Sequence, residues 1–144
     1  MAYFMLAFGL YLLSHHFENK GAKAIINKEF KTPNQEAKKI FGKWRFVMSS
    51  GGFGGSGNPS FDSTDTYEYK ENGKFSHFRG TELVVKQDFN IHLGISDLTQ
   101  ESTLMVKYGG LLSQLGKQSY FVQNDTLYLS DEYYDGFQYI FVRQ

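Results

Sequence analysis

The chain contains no cysteine. Disulfides, thiolate nucleophiles and cysteine-ligated metals are excluded, and so is a lipoprotein anchor, which needs a cysteine to acylate. Proline is scarce, with 2 in 144 residues against 15 glycines. No apolar run is long. The clearest, Ala2 to Leu13, has twelve residues without a charge, and a transmembrane helix needs about twenty. Neither sign of charge is in excess, because 15 basic residues balance 15 acidic ones. A nucleic-acid-binding domain ordinarily shows a basic face, so no nucleic-acid partner is expected. Residues 1–41 carry six Lys against three Glu and residues 42–144 the opposite imbalance of three, which does not alter that expectation.

What is abundant is aromatic: 14 Phe and 10 Tyr. Aromatic residues favour strands, and glycine marks tight turns and bulges. The length suits one domain with a core of its own. The composition therefore leans all-β before any pattern is read.

Two segments precede the strands. Residues 1–31 join the apolar run to a polar, basic spacer. The run has the length of a signal-peptide core, and Ala22-Lys23-Ala24 fits a cleavage pattern. Export to the periplasm, cell envelope or exterior is the expectation, with membrane contact only through residues 2–13 if they stay uncleaved. Residues 32–144 form the expected domain. Thr32, Pro33 and Gln35 make a helix start with a capping box. Ala37, Ile40 and Phe41 put apolar groups on one side of a short helix that stops at Gly42.

From Trp44 onward the pattern has period two, the signature of strands. Trp44, Phe46 and Met48 share one face of a first strand, and Tyr67 and Tyr69 one face of a second. Asn72-Gly73 is a hairpin signal leading to Phe75–Arg79. Leu83, Val85, Phe89, Ile91 and Leu93 then fall on one face, interrupted by Gln87, with Lys86, Asp88 and Asn90 opposite. That stretch is one long bent strand or two joined near Phe89. Thr103–Tyr108 follows, then a hairpin of 118–123 and 126–130 around Asn124-Asp125, then Phe137–Arg143. About eight sequential antiparallel strands can close into an up-and-down barrel.

Gly42-x-Trp44 at the first strand and Arg143 at the end of the last frame this run. Together with Ser49–Phe53 and the closing block Thr126–Arg143, they resemble the bacterial lipocalin-like domain family, over roughly residues 40–143. The resemblance implies a calycin-type barrel with Arg143 packed over the Trp44 ring at one end. It also implies a loop after the first strand that borders the open end, and no established activity. Gly42, Trp44 and Arg143 are the structural signature. The absent lipoprotein cysteine and the insertion-like stretch 94–101 depart from it.

Literal motif matches fail on context. Gly52-Phe53-Gly54-Gly55-Ser56-Gly57 reads as G-x-G-x-x-G, but Asn58-Pro59 follows instead of a helix. Asp131, Asp135 and Gly136 echo a calcium loop that lacks its third and twelfth ligands. No serine sits in a nucleophile elbow. His15, His16, His77 and His92 show no zinc spacing. No catalytic residue, metal ligand or cofactor is assigned. The candidate ligand-binding residues are aromatic: Tyr67, Tyr69, Phe75, Tyr120, Phe137, Tyr139 and Phe141 for a cavity, and Phe53 for a lid on the glycine-dense loop. The expected function is non-enzymatic binding of a small hydrophobic ligand. The alternative is a filled barrel acting as a structural or protein-interaction module.

Overall fold

The structure, a computed structural model, describes residues 33–55 and 57–144. The expected signal or anchor at residues 2–13, the spacer and the Thr32 cap lie outside the described residues. A short helix, α1 (Pro33–Lys38), is followed by eight strands. They are β1 (Gly42–Gly51), β2 (Asp65–Tyr69), β3 (Lys74–Arg79), β4 (Glu82–Ile95), β5 (Ser102–Tyr108), β6 (Gln118–Gln123), β7 (Thr126–Asp131) and β8 (Phe137–Arg143). A 3-10 helix, Gly110–Leu115, joins β5 to β6. Each strand pairs antiparallel with its sequence neighbours, and β8 closes on β1. The fold is an all-β, eight-stranded, closed antiparallel barrel. Among the described residues no helix is long and apolar enough to cross a membrane.

The turns have local causes. Asn124 and Asp125 both adopt positive φ, 48° and 57°, the backbone that a two-residue hairpin with native twist requires. The stretch from Leu83 to Leu93 is one strand, not two, and the stretch 94–101 leaves the strand order sequential.

Two bulges redirect side chains that simple alternation assigns inward. In β1, Phe46 faces Phe141 but Met48 faces Ile140, so Val47 is an extra residue. Met48 is thereby turned outward and is 50% exposed. In β4, Val85 faces His77 and Leu83 faces Phe78, so Val84 is extra. Leu83 leaves the core for the same reason. A bulge adds one residue to one strand and flips everything beyond it. Leu93 is exposed without a bulge beside it. It lies on the inward parity opposite the buried Leu104, near the free end of the long β4 strand, and is 42% exposed. Phe89 is buried and Val85 and Ile91 are partly buried, while Lys86, Asp88 and Asn90 face water as expected. Gln87, the polar break in the apolar face, accepts a hydrogen bond from the Leu112 amide at 3.2 Å and so anchors the 3-10 helix.

One barrel end is sealed by the signature residues. Trp44 is fully buried, and its indole Nε1 donates to the Ile40 carbonyl at 2.6 Å. The Arg143 guanidinium lies 4.1 Å from the Trp44 ring centre. Its terminal nitrogens donate to the Lys39 and Phe41 carbonyls at 2.9 and 3.0 Å, and Nε to Asp125 at 3.0 Å. Tyr120 donates its hydroxyl to the Ala37 carbonyl at 3.0 Å. The last carbonyls of a helix have no partner within it; here Trp44, Arg143 and Tyr120 supply the donors for the turn that follows α1. Gly42 makes the approach possible. It has φ +127°, and a Cβ there would come within 2.8 Å of Arg143.

Candidate functional site

The opposite end carries the loop of residues 52–64 between β1 and β2. It is open at Gly54 and Gly55, where no atom lies within 4 Å of where a Cβ would sit, although Gly52 just before them packs on the Phe137 ring. Phe53 is 100% exposed. It is therefore not the apolar contact of this loop. A side chain in a glycine run has no packed backbone behind it to press it inward.

The second half of the loop docks. Gly57, at φ +80°, lies against Ser49, whose carbonyl would sit 2.6 Å from a Cβ. The Asn58 amide donates to Ser49 Oγ at 2.8 Å, and Asn58 Oδ1 accepts from the Ser60 amide at 3.0 Å. These bonds aim Phe61 into the barrel. Its ring centre lies 5.1–6.5 Å from five other rings: Phe46, Tyr67, His77, Tyr139 and Phe141. Four are tilted or edge-on, and His77 is parallel within 10°. Phe61, and not the expected lid residue Phe53, is the apolar group that this loop packs into the barrel mouth.

Two buried polar groups flank the plug. On one side Asp65, fully buried, lies 2.6 Å from His77 Nε2 and accepts from the Asp62 amide at 2.7 Å. Arg79 reaches the same carboxylate at 3.3 Å and donates to the Ser60 carbonyl at 2.6 Å. This latch ties the loop to β2 and β3 immediately beside Phe61. On the other side Asp131 accepts from Gln118 Nε2 at 2.7 Å, the Phe137 amide at 3.0 Å and the Tyr133 hydroxyl at 3.1 Å. Tyr139 donates to it at 3.5 Å and accepts from Asn58 Nδ2 at 3.1 Å. Burial is the main cause that pushes the Tyr139 hydroxyl up to about 12, so it stays protonated.

The aromatic residues picked from the sequence fall into three places. Tyr67, Tyr139 and Phe141 surround Phe61, and Phe137 touches Tyr139. Tyr69 and Phe75 fill the barrel below. The ring centres of Tyr67, Phe75 and Phe141 stand 4.7–4.9 Å apart in sequence of contact, and the Tyr69 and Tyr108 hydroxyls share a 2.5 Å hydrogen bond. Burial drives the Tyr69 and Tyr108 hydroxyls well above their ordinary value. Tyr120 belongs to the sealed end, not to this site. Phe46, Asn58, Phe61, Asp65, His77 and Asp131 complete the site and were not among the sequence candidates. Inward parity marks four of them, since Phe46 alternates with Trp44, Asp65 with Tyr67 and Tyr69, His77 with Phe75, and Asp131 with Leu127 and Leu129.

A second feature lies on the outer wall. The segment 96–101 folds back over β6 and β7, leaving a groove of about 360 Å³ lined by Ser96, Leu98, Ser119, Phe121 and Glu132 among others. Glu132 accepts from Ser96 Oγ at 2.8 Å and the Asp97 amide at 2.7 Å. Burial alone would raise its carboxyl, but hydrogen bonds from Ser119, Ser96, Asp97 and Leu98 outweigh it and hold the pKa below the ordinary range. A depressed folded-state pKa stabilises above the unfolded value, roughly 4.3, and that contribution is lost as pH falls through the folded pKa. Acidification through the folded pKa of Glu132 should therefore loosen this segment. Amide exchange at Asp97 and Leu98 should accelerate there beyond its intrinsic pH trend, and Glu132→Gln should show the faster exchange already at pH 7. Equal protection in both proteins would contradict the assignment.

Comparison of the chain with family models, with curated proteins and with solved structures returns no match.

Proposed function

We propose that this chain is a lipocalin-like, non-enzymatic barrel that holds one small apolar molecule at the end opposite Trp44. The observation that carries the reading is Phe61: a side chain from a glycine-hinged loop occupies a slot walled by five rings. Such a slot is a ready site for another apolar group once the loop lifts. The rings of Tyr67, Tyr69, Phe75 and Phe141 pack against one another below it, so the ligand is compact and sits in the mouth. The flanking polar groups support binding over catalysis, because the Asp65 and Asp131 carboxylates are engaged by partners within the fold. The apolar run Ala2–Leu13 supports export, or retention at a membrane if it stays uncleaved.

Native mass spectrometry of the purified full chain tests the reading. A non-covalent small-molecule adduct is expected, or uptake of one equivalent of an added apolar fluorophore such as 1-anilinonaphthalene-8-sulfonate. Bare protein in native charge states that also takes up no fluorophore would overturn it.

A second reading, a filled-barrel interaction module, has one observation in its favour. Phe121, Tyr128, Ile140 and Met48 stand side by side across β6, β7, β8 and β1, in register. All four point outward, and the Phe121 and Tyr128 rings stack at 4.4 Å. Exposed apolar groups in a contiguous row mark contact surfaces. Self-association abolished by Phe121→Ser would favour this reading.

A further inference from the structure

The loop puts two chemical groups into the mouth, and together they describe what replaces them. Phe61 supplies a flat ring, parallel to His77 and edge-on to Tyr67 and Phe141. Three residues earlier, Asn58 supplies a donor from Nδ2 to the Tyr139 hydroxyl oxygen at 3.1 Å. Tyr139 in turn faces Asp131. When residues 58–61 lift, an aromatic slot and an unfilled acceptor are left beside each other, since the Tyr139 and Phe61 ring centres stand 5.2 Å apart. A buried acceptor that loses its donor is costly, so a ligand that fills the slot and also donates is favoured over one that only fills it.

We infer that the mouth selects a planar aromatic molecule bearing one hydrogen-bond donor, a phenol or an aryl amine, which takes the places of the Phe61 ring and the Asn58 amide together. The inference rests on the carrier reading above and narrows it. An alkyl chain does not fit the description: it cannot lie parallel to His77 as a ring does, and the floor below is filled. Phe61 is then a competitor built into the chain. The affinity seen from outside is the intrinsic one reduced by the fraction of molecules whose slot is free.

The test is fluorescence titration of the full chain with 2-naphthol, naphthalene and dodecanoate, in the natural protein and in Phe61→Ala. Removing the competitor should tighten 2-naphthol binding about tenfold or more. In Phe61→Ala, 2-naphthol should bind better than naphthalene, by roughly tenfold for one hydrogen bond. Adding Tyr139→Phe should erase that preference and leave naphthalene unchanged. Phe61→Leu, which keeps an apolar side chain but no ring, serves if Phe61→Ala does not fold, and the same ordering is expected. Equal affinity for 2-naphthol and naphthalene overturns the inference, as does a preference that survives Tyr139→Phe. Binding of dodecanoate with neither naphthalene probe overturns this ligand class and leaves the carrier reading standing. Binding of no probe to any variant overturns both.

Discussion

Trp44→Ala should lower the stability of the barrel by about 3–5 kcal/mol, the usual cost of truncating a large buried ring. The side chain is fully enclosed, and three things fail together when it goes. The cavity left at the barrel end loses its packing. The Ile40 carbonyl loses its donor. The Arg143 guanidinium loses the face it lies on, a contact worth about 0.5–2 kcal/mol by itself. Urea unfolding followed by far-ultraviolet circular dichroism measures the sum. Trp44→Phe separates the parts: it keeps a ring but not the donor, and should cost about 1–2 kcal/mol. A loss below about 1 kcal/mol in Trp44→Ala would show that the end is not sealed as described, because surface-like substitutions stay near 0.5 kcal/mol.

Asp65→Ala should cost about 3 kcal/mol, concentrated at the mouth. The carboxylate is buried and serves His77, the Asp62 amide and Arg79 at once. Removing it leaves the first two without a partner, at about 1–3 kcal/mol each. Arg79 is 45% exposed at its side chain, so water takes over most of its share. The loss should be local before it is global. Trp44 is the only tryptophan and sits at the other end, so its emission should stay native in conditions where amide exchange at residues 60–64 has accelerated. Phe53→Ser is the contrasting case on the same loop. Its ring touches nothing, so stability should move by less than about 0.5 kcal/mol. Simultaneous loss of both ends in Asp65→Ala would contradict the latch.

The architecture was legible because it rests on alternation and turns. Trp44 with Phe46, Tyr67 with Tyr69, and the closing strand Phe137–Arg143 all declare their faces by period two. Asn72-Gly73 and Asn124-Asp125 declare hairpins by residue type. Simple alternation misplaces Met48 and Leu83 because each lies next to a bulge, Met48 just after Val47 and Leu83 just before Val84, and neither valine differs in type from an ordinary strand valine. The site was less legible than the fold. Phe61 sits between Ser60 and Asp62 in a loop with no periodicity, and what holds it inward is Asn58 on Ser49 and the Asp62 amide on Asp65, short-range loop contacts that alternation does not signal. Phe53 is the one large ring among five glycines. That isolation is why it points to water. Asp65 and His77 carried a readable signal, since both fall on the inward parity of β2 and β3. Register places Tyr67 opposite His77 and Asp65 opposite Arg79, which turns three scattered polar residues into one latch.

On the proposed function, Phe61 holds the place of a ligand. A crystal structure of Phe61→Ala grown with 2-naphthol tests it most directly. The account predicts the naphthol ring parallel to His77 and edge-on to Tyr67 and Phe141, where Phe61 now lies, with its hydroxyl on Tyr139. A vacated mouth that collapses shut, or naphthol bound only in the outer groove beside Phe121 and Glu132, would contradict it.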